Sequence, residues 1–183
     1  MTIPNLLTVG RIFLTPLLIW FILQGWLASA FLLFFVAGMS DAVDGYLARH
    51  FNQKTRFGAY MDPLADKILL VSSFIVLWYV GLCPWWLVAI TSARDLMILC
   101  GFFYLYFSGT RVEMRPLTVS KATTFFQLLT VFTLLGSSFA PLPAPAYTAL
   151  FLITAAFSVY SGWRYLSIGL SILDARRDTE AGL

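Results

Sequence analysis

The chain has 183 residues, of which 60% are hydrophobic, 17% aromatic and 11% charged. This composition lies far outside the averages for soluble proteins, so we expect a membrane protein. The net charge of +3 is too small to indicate a nucleic-acid-binding protein. Cys83 and Cys100 are not at metal-ligand spacing, and we interpret both as packing residues.

Apolar runs divide the chain into six predicted membrane helices, since a bilayer span needs roughly 20 apolar residues. Asn5 is expected to cap the first helix, which Pro16 would kink. The chain 1–183 is interpreted as a single membrane domain, and 171–183 as a polar tail that is amphipathic or disordered. The predicted spans are approximately 6–23, 26–49, 57–80, 85–107, 117–139 and 146–170.

Charge in the connections sets the expected orientation. The connections after the first, third and fifth helices carry no Lys or Arg, whereas those after the second and fourth, and the tail, do. By the positive-inside rule, both termini face the cytoplasm. We therefore predict an all-α integral membrane protein, a six-transmembrane-helix bundle with both termini cytoplasmic and a bacterial inner membrane as its expected location.

Four aspartates lie near the junction of the second and third predicted helices. Asp41 and Asp44 are three apart and Asp62 and Asp66 are four apart, so each pair shares one face of its helix. Two antiparallel helices joined by a short loop could aim all four carboxylates at one point. Such a cluster needs compensating protons or cations, and acids inside a membrane indicate a functional site. All-oxygen ligands favour Mg²⁺ or Mn²⁺, and two such ions suit in-line transfer at phosphorus.

The four acids belong to a longer pattern over residues 41–66, Asp-x2-Asp-Gly-x2-Ala-Arg-x8-Gly-x3-Asp-x3-Asp. This pattern resembles the signature of the CDP-alcohol phosphatidyltransferases, and every fixed position of that signature is filled. Acids that merely bound structural ions would not also bring Gly45, Ala48, Arg49 and Gly58 into register. The spacing is therefore specific to this family in a way that a short motif would not be.

The resemblance implies transfer of a phosphatidyl group from CDP-diacylglycerol to a glycerol-type alcohol, with release of CMP. It implies Asp66 as the catalytic base and a homodimer embedded among membrane lipids. The implied ligands of two Mg²⁺ or Mn²⁺ ions are Asp41, Asp44, Asp62 and Asp66. The implied nucleotide-binding residues are Asn5, Thr8, Asp44, Gly45, Ala48, Arg49 and Gly58.

The acceptor alcohol stays open between two compounds. Phosphatidylglycerolphosphate synthases typically carry a second arginine two turns after their fourth-span Arg-Glu pair, and Phe102 falls there in this chain. The segments from Arg94 and from Met114 look more like the cardiolipin synthases of the family. This favours phosphatidylglycerol as acceptor by a small margin, with glycerol 3-phosphate as the alternative. The expected acceptor-binding residues are Arg94, Arg111, Arg115 and Lys121.

A further expectation concerns the Arg94-Asp95 pair in the fourth predicted helix. Arg94 and Asp95 are adjacent on a helix, so we expect them not to face each other and each to pair with another helix or the substrate.

Two rival functions are a membrane prenyltransferase with Asp-rich motifs and a cation transporter lined by acids. The prenyltransferases are longer chains with widely separated acid clusters, and a transporter would show ion flux without CMP release.

Overall fold

The computed structural model describes the backbone of residues 3–50, 56–107 and 118–181, and side chains at 10, 13–39, 65–101, 118–169 and 171. Over these residues the chain forms six α-helices, one short 3-10 turn at Gly136–Ser138 and no strand. The predicted all-helical class is confirmed for this part of the chain. The helices are α1 (Ile3–Leu23), α2 (Leu27–His50), α3 (Arg56–Tyr79), α4 (Trp85–Phe107), α5 (Thr118–Leu135) and α6 (Ala144–Ala181).

Helix α1 begins earlier, and helix α6 ends later, than the sequence predicts. Helix α1 begins at Ile3, so Asn5 lies within the helix and the prediction that it caps a helix starting at Leu6 was wrong. Pro4 suits this earlier start, because its fixed φ and missing N–H are tolerated in the first helical turn. At the other end, α6 continues to Ala181 through the polar tail. Residues 171–181 contain neither Pro nor Gly, so nothing in that stretch stops the helix.

Helices α1 and α3 end in the same way, at glycines with positive φ. Gly25 has φ 74° and Gly81 has φ 80°, the left-handed region that glycine adopts without steric penalty. After each, a backbone N–H reaches five residues back: Trp26 N–H to Phe21 O and Leu82 N–H to Leu77 O, both at 2.9 Å. These bonds satisfy terminal carbonyls of the helices and reverse the chain within a few residues.

The packing of the helices places α3 between two groups. Helix α1 packs against α2 and α3, while α6 packs against α4 and α5. Helix α3 also contacts α4 and α5, and so joins the two groups. Apolar side chains from all six helices fill the space between them. The largest fully buried members of that core are Phe74, Leu18, Ile22, Leu77, Leu87 and Leu135.

In the described part of the chain, the surface of the bundle is apolar as well as its core. Large apolar side chains are exposed on every helix, including Phe13 at 73%, Trp85 at 67% and Trp163 at 68%. Two helical segments, Thr118–Ser138 and Ala144–Gly169, are long and apolar enough to cross a membrane, and shorter apolar stretches lie in α1 and α2. Among the side chains that the structure describes, the buried polar ones are Thr15, Ser73, Thr91, Arg94, Asp95, Thr123, Gln127, Thr130, Thr154, Ser158 and Ser161.

Candidate functional site

The signature residues occupy two helices. Asp41, Asp44, Gly45, Ala48 and Arg49 lie in the second half of α2, and Gly58, Asp62 and Asp66 in the first half of α3. Six peptide steps separate His50 from Arg56, which limits the distance between these two helix ends to at most about 22 Å. Helix α1, which carries Asn5 and Thr8, packs against both. The predicted donor site therefore draws on three helices, α1, α2 and α3.

Asp66 is the one signature acid whose side chain the structure describes, and it is half-buried. The side chains of Asp41, Asp44 and Asp62 lie outside the described set, as do those of Asn5 and Thr8. Among the described side chains, no three His, Cys, Asp or Glu residues come together as a metal site. Because the three other acids are outside that comparison, the predicted metal ligands stay a prediction.

The residue after Asp66 is part of a buried ion network. Lys67 Nζ donates to Asp95 Oδ1 at 2.7 Å, which links α3 to α4. Arg94 Nη1 donates to the same oxygen at 2.6 Å. The side chain of Asp95 is 2% exposed and that of Arg94 is 4%, whereas that of Lys67 is 21% exposed. One buried carboxylate thus contacts two cations.

Arg94 extends the network to the last two helices. Its Nη2 donates to Ser120 Oγ on α5 at 2.6 Å and to Ser161 Oγ on α6 at 2.7 Å. Its guanidinium carbon lies 6.0 Å from the ring centre of Tyr165, at cation–π distance. Arg94 Nε is buried without a hydrogen-bond partner among the described residues. The buried guanidinium therefore joins α4, α5 and α6.

The backbone of α6 comes close to α4 beside this arginine. A Cβ atom added to Gly162 would lie 3.3 Å from Met97 Cε and 3.6 Å from Arg94 Cγ. A larger side chain at position 162 would have to displace Met97 or the stem of Arg94. The glycine thus permits the short bond between Arg94 and its neighbour Ser161.

The prediction that adjacent Arg94 and Asp95 do not face each other was wrong. Their side chains share a hydrogen bond, because a long guanidinium stem can curl toward a neighbouring carboxylate when both are buried against other helices. The second half of that expectation is confirmed, since each side chain also pairs with another helix.

The expected acceptor-binding residues fall in different settings. Arg94 is buried within the network, and Lys121 is exposed on α5, next to Ser120. Arg111 and Arg115 lie outside the described residues. Helix α5 thus places an exposed lysine beside a serine that contacts Arg94, but the described side chains do not form a complete anion site.

Sequence reasoning missed Lys67, Ser120 and Ser161. Lys67 had a detectable signal, since a lysine beside the apolar run from Ile68 requires a partner inside a membrane. Asp95 is the acid of the following helix and was the natural candidate. The serines carried no such signal, because Ser is common at helix–helix contacts in membrane proteins.

The two cysteines differ in their surroundings. Cys83 is 4% exposed in the turn between α3 and α4, as expected of a packing residue, and burial raises the pKa of its thiol to about 12. Cys100 is exposed on α4, so the packing interpretation fails for it in the described chain. With so high a pKa, the Cys83 thiol stays protonated and unreactive at neutral pH.

Comparison with known proteins agrees with the signature on α2 and α3. A probable cardiolipin synthase (CMP-forming) of Drosophila melanogaster is 35% identical over 183 residues, covering 91% of this chain and 57% of that protein. Cardiolipin synthase (CMP-forming) of Homo sapiens is 32% identical over 184 residues, covering 90% and 61%. This chain therefore spans about three fifths of the length of these two relatives.

A bacterial relative carries a different name. The CDP-diacylglycerol–glycerol-3-phosphate 3-phosphatidyltransferase of Bacillus subtilis is 32% identical over 183 residues, covering 90% of this chain and 93% of that protein. The family model described as CDP-alcohol phosphatidyltransferase matches residues 1–167, which include α1 to α5 and most of α6. This chain belongs to the CDP-alcohol phosphatidyltransferase family.

Proposed function

We propose that the protein is an integral membrane enzyme that transfers a phosphatidyl group from CDP-diacylglycerol to a glycerol-type alcohol and releases CMP. The observation that carries the proposal is the complete eight-position signature, five positions in the second half of α2 and three in the first half of α3. Family membership supports it and argues against the prenyltransferase and transporter alternatives. The names of the relatives are consistent with this class of substrate.

The proposed membrane location follows from the apolar surface of the bundle. Exposed aromatic and aliphatic side chains on all six helices exceed what a soluble monomer tolerates. Lipid chains would cover them without penalty, while buried hydroxyl groups such as those of Ser73, Thr123 and Ser158 donate to backbone carbonyls. Thr130 Oγ1 and Thr154 Oγ1 lie 2.8 Å apart between α5 and α6. A lipid substrate would then reach the site from within the membrane.

In the proposed reaction, the hydroxyl oxygen of the acceptor attacks the phosphorus that carries the diacylglycerol group. A new phosphorus–oxygen bond forms as the bond to the CMP phosphate oxygen breaks, and CMP leaves. Asp66 accepts the hydroxyl proton as general base. Gly45, Ala48 and Gly58 leave space for cytidine beside the helices, and Arg49 pairs with phosphate or fixes the acids in place.

Divalent cations fit the proposed donor set, which consists of carboxylate oxygens from two neighbouring helices. Asp41, Asp44, Asp62 and Asp66 would hold two Mg²⁺ or Mn²⁺ ions, as hard cations prefer oxygen ligands. When bound, the ions would neutralise the negative charge of the diphosphate and of the departing CMP.

We expect strict dependence of activity on a divalent cation. Four carboxylates near one another need compensating charge, and the diphosphate adds more negative charge. The purified protein should lose CMP release in excess EDTA and regain it when Mg²⁺ or Mn²⁺ is restored. Full activity in excess EDTA would contradict the proposed metal site.

For the acceptor, we propose phosphatidylglycerol, which would make the product cardiolipin. Phosphatidylglycerol carries one diester charge and its own acyl chains, whereas glycerol 3-phosphate is a near-dianion that needs several cationic donors. In the described part of the chain, Arg94 already donates to Asp95 and to two serines, which favours the less charged acceptor. Glycerol 3-phosphate is the second candidate, because the bacterial relative is named for it.

Purified protein in lipid nanodiscs should release CMP from CDP-diacylglycerol when phosphatidylglycerol is supplied, and form cardiolipin. Separate reactions with glycerol 3-phosphate, with each acceptor omitted and with heat-treated protein provide the controls. Efficient product from glycerol 3-phosphate with none from phosphatidylglycerol would overturn the acceptor choice and leave the phosphatidyltransferase class intact. CMP release from neither pair would contradict this acceptor class.

We also propose a homodimer in a bacterial inner membrane, with both termini and the site at the cytoplasmic face. The charged connections and the positive-inside rule support the orientation. Green fluorescent protein fused after Leu183 should fluoresce, whereas alkaline phosphatase at the same position should be inactive. The reverse result would place the carboxyl terminus outside. Chemical cross-linking in native membranes tests the dimer.

A further inference from the structure

We propose that the Lys67–Asp95 ion pair is a positioning device for Asp66. It holds the first half of α3 in a fixed register against α4 and, through Arg94, against α5 and α6. The inference rests on the proposed function, in which Asp66 meets the reacting hydroxyl. Lys67 and Asp95 are positioning residues in this proposal, since neither is required to touch the substrate.

Lys67 lies next to Asp66 on α3. It follows Asp66 directly, so its side chain leaves the same helical turn about 100° away around the axis. The ammonium is fixed at 2.7 Å from Asp95 Oδ1 on α4. Rotating α3 by one residue, or sliding it by a turn, would break that bond and turn Asp66 away from its present direction.

The Asp95 carboxylate that Lys67 contacts is itself fixed in place. Asp95 is buried and also receives a bond from Arg94 Nη1 at 2.6 Å. Arg94 in turn donates to Ser120 on α5 and Ser161 on α6, beside the close approach at Gly162. The oxygen that Lys67 contacts is therefore held by three helices.

The packing around Lys67 on α3 is otherwise apolar at its buried neighbours. The buried side chains nearest to Lys67 along this helix, Ala65, Leu69 and Leu70, are apolar. Apolar packing alone tolerates small shifts, whereas one buried polar pair can specify register, which is the best-attested role of such pairs. A misplacement of about 1 Å at a reacting group can lower a rate by about 100-fold.

The kinetic test compares Lys67→Met with Lys67→Arg. We expect kcat of Lys67→Met to fall by about 10- to 100-fold, with KM for both substrates within about threefold of wild type. Lys67→Arg keeps the cation and should stay within about threefold of the wild-type kcat. Arg164→Met, an exposed cation on α6, is the matched control and should leave kcat unchanged.

Folding of Lys67→Met should survive, because Asp95 and Arg94 remain as a neutral pair when Lys67 is removed. If that protein does not fold, Lys67→Gln replaces it with the same expected results, since an amide keeps a donor but not the charge. A wild-type kcat in the folded variant would overturn the inference. So would a rise in KM for the acceptor at constant kcat, which would make Lys67 an acceptor-binding residue, or a Lys67→Arg protein as slow as Lys67→Met.

A distance measurement separates this inference from the proposed function. Spin labels at Ile68→Cys on α3 and Val159→Cys on α6 occupy exposed positions. Cys100→Ala removes the exposed thiol, and the buried Cys83 can stay. We expect a narrow distance distribution in wild type and Lys67→Arg, and a broader or shifted one in Lys67→Met.

An unchanged distribution in Lys67→Met would overturn the positioning role whatever the activity. Absence of CMP release from the wild-type protein, in contrast, would contradict the proposed function. A broadened distribution would then still support the coupling of α3 to α6 by this ion pair.

Discussion

Replacing Asp66 with asparagine is expected to lower the turnover of CMP release by about 10³-fold, within the range that general bases contribute. Asparagine has nearly the same shape but cannot take a proton from the acceptor hydroxyl. Three of the four proposed metal ligands remain, so the affinity for CDP-diacylglycerol should fall far less than kcat. The measurements are kcat from CMP release and the dissociation constant of CDP-diacylglycerol under equilibrium conditions.

Two comparisons make this result specific. Asp41→Asn should weaken binding of both the divalent cation and CDP-diacylglycerol, because it removes a proposed ligand rather than the base. Ser72→Ala, on the same helix, removes a hydroxyl that donates to the α3 backbone carbonyls of Ile68 and Leu69, and should leave kcat unchanged. If Asp66→Asn kept near-normal turnover, the base would have to be another group.

The helices could be predicted from the sequence because their signals are local. Apolar runs of about 20 residues end at glycines such as Gly25 and Gly81, and the predicted ends lie within a few residues of those of α2, α3 and α4. The end of α6 was harder to predict. Polar residues after Gly169 indicate the end of a membrane span, but they do not end a helix.

The site was predictable only in part. The signature fixes which residues of α2 and α3 belong together, because its spacing is a property of the sequence itself. Contacts between helices that are distant in sequence carry no such signal. Lys67 bonds to Asp95, which is 28 residues away in the sequence, and Arg94 bonds to Ser161, which is 67 residues away. Those pairs depend on how the helices pack, which periodicity along one chain does not specify.

Replacing Asp95 with asparagine is expected to destabilise the bundle by about 3 kcal/mol, the lower end of the range for breaking a buried ion pair. The change leaves the cations Lys67 and Arg94 facing a neutral amide, with Arg94 almost completely buried. Each loses its attraction to the carboxylate, and the two repel each other. The free energy of unfolding can be measured by titrating the protein from mild detergent into SDS.

The charges that remain in each variant predict a distinctive order of stabilities. Lys67→Met should destabilise less than Asp95→Asn, because it leaves a neutral pair, whereas Asp95→Asn leaves two like charges. The double variant should be more stable than Asp95→Asn alone, since it removes one of the two uncompensated cations. Two substitutions would then be less harmful than one of them.

Thr154→Val serves as the control for losing an ordinary contact between helices. It removes the hydroxyl bond to Thr130 at 2.8 Å, and such bonds contribute about 0.6 kcal/mol on average within membrane proteins. Asp95→Asn should therefore exceed Thr154→Val several-fold. Equal losses in the two variants, or a double variant in which the losses of Lys67→Met and Asp95→Asn simply add, would show that the three charges do not act as one network.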